Sequence, residues 1–171
     1  MIHDDDPFAV PVEERDPVRR FRGRIPAPVT VVTSGSGPGA TGLTVSSLMV
    51  ADGDPGTVEF LCGRNADLGD AIVATGGFVV HVLRRGDEAL SDRFAGIRPS
   101  PGGLFAGLDV TPGRWGLVIV SLQTRAECRL LESRDAGWYL AITGSVEDLV
   151  LGDDRDPLLR YRGHYRLMGE D

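Results

Sequence analysis

Six stretches of the chain alternate apolar with polar residues or run apolar throughout: "PVTVVTS" (28–34), "ATGLTVSSLMV" (40–50), "TVEFLC" (57–62), "FVVHVL" (78–83), "LVIVSLQTRAECRLL" (117–131) and "WYLAITGSVEDLVL" (138–151). They are rich in β-branched residues and bounded by Gly, Pro and Asp, so six strands are predicted. Between the third and fourth the period changes. In "NADLGDAIVATGG" Leu68, Ala71, Ile72 and Thr75 form a helical stripe, Asn65 or Asp67 can cap it, and Gly76 and Gly77 stop it. "DEALSDRFAG" (87–96) predicts a second helix, and Arg98 to Arg114 reads as a long Gly/Pro-rich loop that is functional or packs against a partner. Strands follow one another with few helices between them. That favours a mainly β, antiparallel barrel or sandwich over a doubly wound sheet.

One strand breaks its own pattern. Residues i and i+2 share a face, so Thr44 and Ser46 point one way while Val45 and Ser47 point the other, and neither face is purely apolar. A buried hydroxyl costs about 1 to 3 kcal/mol unless it is paired. Either the backbone satisfies these groups locally or a ligand does. Just upstream, "GSGPGA" (35–40) fits the spacing of a dinucleotide fingerprint, with Glu59 about twenty residues on. That motif must open a helix, whereas "TGLTVSSLMV" is β-type, so a Gly-rich hairpin loop is expected.

Composition narrows the chemistry. The 171 residues amount to one domain, with an acidic, then Arg-rich and Pro-containing arm over residues 1–20, holding one short helix, and a folded domain over 21–171. A net charge of -7 argues against nucleic acid or an anionic membrane as partner, and no apolar run is long enough to span a bilayer. "MIHDDDPFAV" is not a signal peptide, so a cytoplasmic protein is expected. Two cysteines, Cys62 and Cys128, and three scattered histidines give no metal-ligand spacing, so no metal is expected. All 18 basic residues are Arg, which excludes a Schiff-base or P-loop lysine; phosphate has to be held by guanidinium, hydroxyl or backbone N–H. No GxSxG elbow or triad stands out, and no side chain is assigned a catalytic role.

From about Phe21 to Tyr165 the ordered set "PVTVVTS", "GLTVSSLMVADGDPG", "CGRNADLGDAI", "GGFVVHVL", "ALSDRFAG", "LVIVSLQTRAECRLL" and "DPLLRYRGHY" resembles the flavin reductase-like family, the FMN-binding split barrels that include reductase components of two-component monooxygenases. Thr44, Ser46, Ser47, Asp54 and Pro55 match the family's Ser/Thr-rich strand and the D-P that follows it. The resemblance implies a Greek-key split β-barrel with a few short helices. It also implies an NAD(P)H-dependent flavin reductase with FMN, or FAD, as flavin, a homodimer with flavin near the interface, and a monooxygenase as a further partner. The alternatives are a flavin- or haem-binding protein of the same fold without turnover, and a deazaflavin-dependent enzyme.

By the same resemblance Thr44, Val45, Ser46, Ser47 and Leu48 line the flavin, Cys62, Gly63, Arg64 and Asn65 lie beside it, and Phe94 and His164 approach it. Cys62 reads independently as a small buried residue, Phe94 as a core aromatic, His164 as a structural histidine and Asn65 as a plain N-cap. Several positions depart from the family. Val50 and Asp52 replace serines, Asp67 places a carboxylate where a phosphate is expected at a helix start, with Arg64 able to compensate, and Ala136, Gly137, Trp138 replace G-D-H. Loss of that histidine implies weak use of the nicotinamide, partly offset by the Trp138 ring; Arg98, Arg162 and Arg166 are the expected phosphate contacts.

Overall fold

The computed structural model describes residues 16–154 and 156–168. Its spine is the run Thr30–Ser34 (β2), in which all five residues are buried. Both faces of the strand are covered, and they feed two cores, with the buried Thr30, Thr33 and Ser34 hydroxyls each hydrogen-bonded to a carbonyl. Val32 packs with Val45, Phe60, Phe78, Cys128 and Ile142, while Val31 packs with Leu83, Phe94, Ile119 and Leu158.

β2 lies between Thr41–Val45 (β3) and Gly77–Val82 (β6) in a seven-stranded sheet. Arg125–Ala136 (β9) and Tyr139–Val150 (β10) follow, then Thr57–Gly63 (β5) and Met49–Ala51 (β4), giving the order β3-β2-β6-β9-β10-β5-β4. Every pairing in it is antiparallel. Laid flat, the outer strands β3 and β4 would stand about 29 Å apart, at about 4.8 Å per strand. They are consecutive in the chain, and the four Cα steps from Val45 to Met49 reach at most about 14 Å. The sheet therefore rolls into a barrel whose seam is Ser46–Ser47–Leu48, a mainly β split barrel as expected.

Helix α2, Asp67–Thr75, plugs this barrel with Leu68 and Ile72, over the edge-to-face pair Phe60–Phe78 at 5.3 Å. Its N-cap is Ala66, not Asn65 or Asp67, and no side chain caps it; Gly76 ends it in the left-handed conformation, with φ 80°. The second core is covered by α3, Glu88–Phe94, and by the small hairpin Val110–Pro112 (β7) with Leu117–Ile119 (β8). A three-stranded sheet completes the fold: Ala27–Pro28 (β1), Leu159–Tyr161 (β11) and His164–Arg166 (β12), in the order β1-β11-β12.

Among the described residues twelve strands replace the six expected. The run 40–50 is not one strand, because the chain leaves β3 at Val45 to cross the seam. The run 117–131 breaks between β8 and β9, where Leu122 turns into the second core. β1, β7, β11 and β12 have two or three residues each, too few for a period to show. The Gly-rich "GSGPGA" is a hairpin connection with one 3-10 turn at Gly37–Gly39, and β2 and β3 pair antiparallel across it. Residues 1–15 of the expected arm lie outside the described residues; its last residues open helix α1, Pro17–Gly23, capped by Asp16. No helix among the described residues is long and apolar enough to cross a membrane.

Candidate functional site

At the seam the sheet ladder is interrupted, and that interruption opens a cleft of about 1140 Å³. Its floor is Leu43, Thr44, Ser46, Ser47, Leu48 and Met49, and Ile25, Pro26, Pro28 and Val29 add apolar surface. Because β3 ends at Val45 and β4 begins at Met49, the N–H groups of Ser46, Ser47 and Leu48 have no backbone partner among the described residues. Three main-chain donors in a row beside apolar side chains suit a flat heteroaromatic ring with acceptors along one edge.

The three hydroxyls that broke the strand pattern have separate duties. Thr44 Oγ1 donates to the Ser91 carbonyl at 2.6 Å, tying β3 to α3. Ser47 Oγ accepts the Leu61 N–H at 2.9 Å and reaches the Leu61 carbonyl at 3.4 Å, standing in for a missing ladder bond between the seam and β5. Ser46 is exposed and lines the cleft, and its hydroxyl has no partner among the described residues. So the backbone satisfies two of the three, and the third is open to solvent or a ligand.

Seven arginines form the remaining walls: Arg19, Arg20, Arg22 and Arg24 from α1 and its C-terminal end, and Arg160, Arg162 and Arg166 from β11, β12 and their turn. Among the described residues no Asp or Glu lines the cleft. In a chain of net charge -7 such a cluster is a strongly localised positive field, which selects an anion. The two walls are fastened to each other where the Arg162 N–H donates to the Gly23 carbonyl at 2.8 Å. Aromatic groups steady the guanidiniums without neutralising them: Arg160 lies 5.5 Å from the Tyr165 ring, Arg162 lies 5.4 Å from Tyr161, and Arg22 donates to the Tyr139 hydroxyl at 3.1 Å.

Of the residues singled out from the sequence, Thr44, Ser46, Ser47, Leu48 and His164 line the cleft, as do Arg162 and Arg166. Val45, Cys62 and Phe94 do not. Val45 and Cys62 sit in the barrel core, and Phe94 packs edge-on against Phe105 at 5.4 Å in the second core. Burial pushes the Cys62 thiol up to about 11, so it is neither a ligand nor a nucleophile at neutral pH. Gly63, Arg64 and Asn65 are absent from the lining as well, and Gly63 pairs with Tyr139, whose hydroxyl accepts from Arg22. Arg64 is not available to offset Asp67. It is held by Asp135 at 2.9 Å and by the Gly137 carbonyl at 3.3 Å.

Arg98 is likewise engaged elsewhere, 3.4 Å from Asp92, whose carboxylate also accepts the Tyr165 hydroxyl at 2.5 Å. Trp138 stands at the tip of the β9–β10 hairpin, 83% exposed and outside the cleft lining. Sequence reasoning missed Arg20, Arg22, Arg24 and Arg160. Their signal was present in "RRFRGR" and "RYRGHYR", where Arg recurs among aromatic residues and glycine, but an exposed arm and a short terminal hairpin carry no burial period to mark them. Among the described residues no three His, Cys, Asp or Glu side chains come together as metal ligands.

The cleft fits a flavin and a dinucleotide on this structure's own terms: main-chain donors for a ring edge, apolar walls for ring faces, guanidiniums for phosphates, and more room than the roughly 300–1,000 Å³ of a single small-ligand pocket. Known proteins agree with that chemistry. The chain is similar to the NADH-dependent FMN reductase AsuE2 of Streptomyces nodosus subsp. asukaensis, 33% identical over 166 residues that cover 95% of this chain and 89% of that one. It is 31% identical over 143 residues to the reductase component of 4-hydroxyphenylacetate 3-monooxygenase of Thermus thermophilus, covering 84% of this chain and 89% of that one. Among solved structures, the NADH:FAD oxidoreductase SgcE6 of Streptomyces globisporus C-1027 superposes with a TM-score of 0.81 at 27% identity, covering 94% of this chain and all of the other. The flavin reductase like domain matches residues 22–169, and the chain belongs to that family.

Proposed function

We propose that this chain is an NAD(P)H-dependent flavin reductase that delivers reduced FMN, or FAD, to a partner monooxygenase. The observation that carries the reading is the seam: Ser46, Ser47 and Leu48, whose N–H groups have no backbone partner among the described residues, line a cleft walled by apolar side chains and arginines. Bound flavin supplies a hydride acceptor and the dinucleotide the hydride, so no side chain has to act as acid or base. The protein's work is positional. The seam donors fix one ring edge, Leu43, Leu48 and Met49 exclude water from the ring face, and the arginines anchor phosphates so that the two rings meet.

The reading includes a homodimer. Short edge strand β4 carries Met49 and Val50, 63% and 66% exposed, beside exposed Leu61 on β5, and a second copy would cover them. A cytoplasmic site of action is part of the same proposal, since its dinucleotide is a cytoplasmic metabolite and both thiols are unpaired. The test is anaerobic mixing of the chain, FMN or FAD, and NADH or NADPH. Loss of the flavin's long-wavelength absorbance supports the reading, and unchanged absorbance with both donors and both flavins overturns it.

A further inference from the structure

The number of arginines exceeds what one flavin needs. Leaving Arg19 aside, six guanidiniums line the cleft: Arg20, Arg22, Arg24, Arg160, Arg162 and Arg166. None of the six meets a carboxylate among the described residues, and the only fixed partners recorded for their side chains are the hydroxyl of Tyr139 and the rings of Tyr161 and Tyr165. A terminal phosphate of FMN brings about two negative charges at pH 7, and the two diester groups of a dinucleotide pyrophosphate bring about two more. With NADH and FMN together, about two of the six guanidinium charges have no counter-charge among the described residues.

We propose that these arginines recognise the 2′-phosphate of a phosphorylated dinucleotide, so that NADPH is the preferred hydride donor of this chain. The inference rests on the reductase reading and deepens it. A 2′-phosphate adds about two further charges, which balances the six guanidiniums. Arginine suits that group better than lysine, because its planar fork pairs with two phosphate oxygens at once, and an arginine near the ribose is a general device for accepting the 2′-phosphate. The geometry adds preorganisation. Arginines face the cleft from two walls that the Arg162–Gly23 hydrogen bond holds together, and Arg160 and Arg162 are steadied on tyrosine rings. The NADH-dependent relative named above shares only 33% of its residues with this chain, so its donor does not fix this one's.

The test is equilibrium titration of the full chain with NADPH and with NADH, read by nicotinamide fluorescence, beside displacement by adenosine 2′,5′-bisphosphate and by adenosine 5′-monophosphate. NADPH is expected to bind at least about tenfold more tightly, and the bisphosphate to displace it where the monophosphate does not. In Arg20→Gln and Arg166→Gln the gap should narrow to about threefold or less, while Arg129→Gln, whose side chain pairs with Glu147 away from the cleft, should keep it. Equal affinity, tighter NADH, no binding of either, or a gap that survives both cleft substitutions overturns the proposal. A clear NADPH preference in binding without flavin reduction would keep the 2′-phosphate recognition and remove the reductase reading; reduction by NADH with equal or greater kcat/KM would keep the reductase reading and overturn the donor preference.

Discussion

Ser47 fastens the barrel seam to Leu61: one hydroxyl accepts the Leu61 N–H at 2.9 Å and lies 3.4 Å from the Leu61 carbonyl. Ser46, its neighbour, has no such tie among the described residues and lines the cleft. The two serines should therefore separate on mutation. Ser46→Ala is expected to weaken FMN binding with little change in melting temperature, whereas Ser47→Ala should lower stability by about 1 kcal/mol and loosen FMN indirectly. The double variant should lose about 1 to 3 kcal/mol of binding energy. Flavin fluorescence titration with thermal melts checks all three; wild-type affinity in the double variant would sink the assignment.

The thiols should be silent. Burial is the main cause that raises Cys62 to about 11 and Cys128 to about 12. A disulfide-exchange reagent at pH 8 is expected to label neither in the native protein and both after denaturation. Rapid labelling of one native thiol would show that the barrel core opens.

His81 makes stability depend on pH. It is fully buried; its Nδ1 lies 3.1 Å from the Val31 carbonyl, and its Nε2 accepts the Ile119 N–H at 3.1 Å, so it joins β2, β6 and β8 as a neutral ring. Burial is the largest cause that lowers it to about 4, the Val31 carbonyl opposes the shift and Arg125 adds to it. The unfolded chain takes up this proton near pH 6.5 and the folded one near 4, so stability falls as pH drops through that window and levels off below it. Its share of the loss between pH 7.5 and 5 should be about 2 kcal/mol. Denaturant melts of wild type and His81→Gln across this range check it: the variant is less stable at pH 7.5 but should show a flatter profile.

Gly144 on β10 leaves no room for a side chain. An added Cβ would stand 2.6 Å from the Phe78 ring and 3.2 Å from the Arg129 carbonyl. Phe78 is fully buried against Phe60 and cannot retreat. Gly144→Ala is expected to cost about 1 to 3 kcal/mol, read as a lowered denaturation midpoint at unchanged slope.

The proposed dimer gives a direct mass test. Light scattering at micromolar concentration should return twice the chain mass, and Met49→Lys with Val50→Glu should return one chain mass if the β4 edge is the contact.

The barrel strands could be read from the sequence because their pattern is a burial pattern: β2, β5, β6 and much of β9 and β10 coincide with the apolar or alternating runs. Helix α2 showed itself by Leu68 and Ile72, which plug the barrel, although its cap did not, since Ala66 uses no side chain. The site was half legible. Thr44, Ser46 and Ser47 drew notice by breaking a period, and the resemblance to a family then pointed to the seam. Of the arginine walls, Arg162 and Arg166 were named, while Arg20, Arg22, Arg24 and Arg160 escaped because α1 buries nothing and β11–β12 is a hairpin of three-residue strands. Cys62 and Phe94 were drawn toward the ligand by resemblance, while their plainer reading as core residues is where the structure puts them.

The seam also says which kinds of genetic change this cleft can absorb. Its donors at Ser46, Ser47 and Leu48 belong to the main chain, and every residue except proline supplies one. Substitution there can retune the pocket without erasing its hydrogen-bonding edge. Length has no such freedom, because the same three residues are the tether that draws the first and last staves of the barrel together. Adding or removing one would change the gap between β3 and β4 and reorient these donors. Point mutation can drift at this site, whereas insertion and deletion meet a mechanical stop.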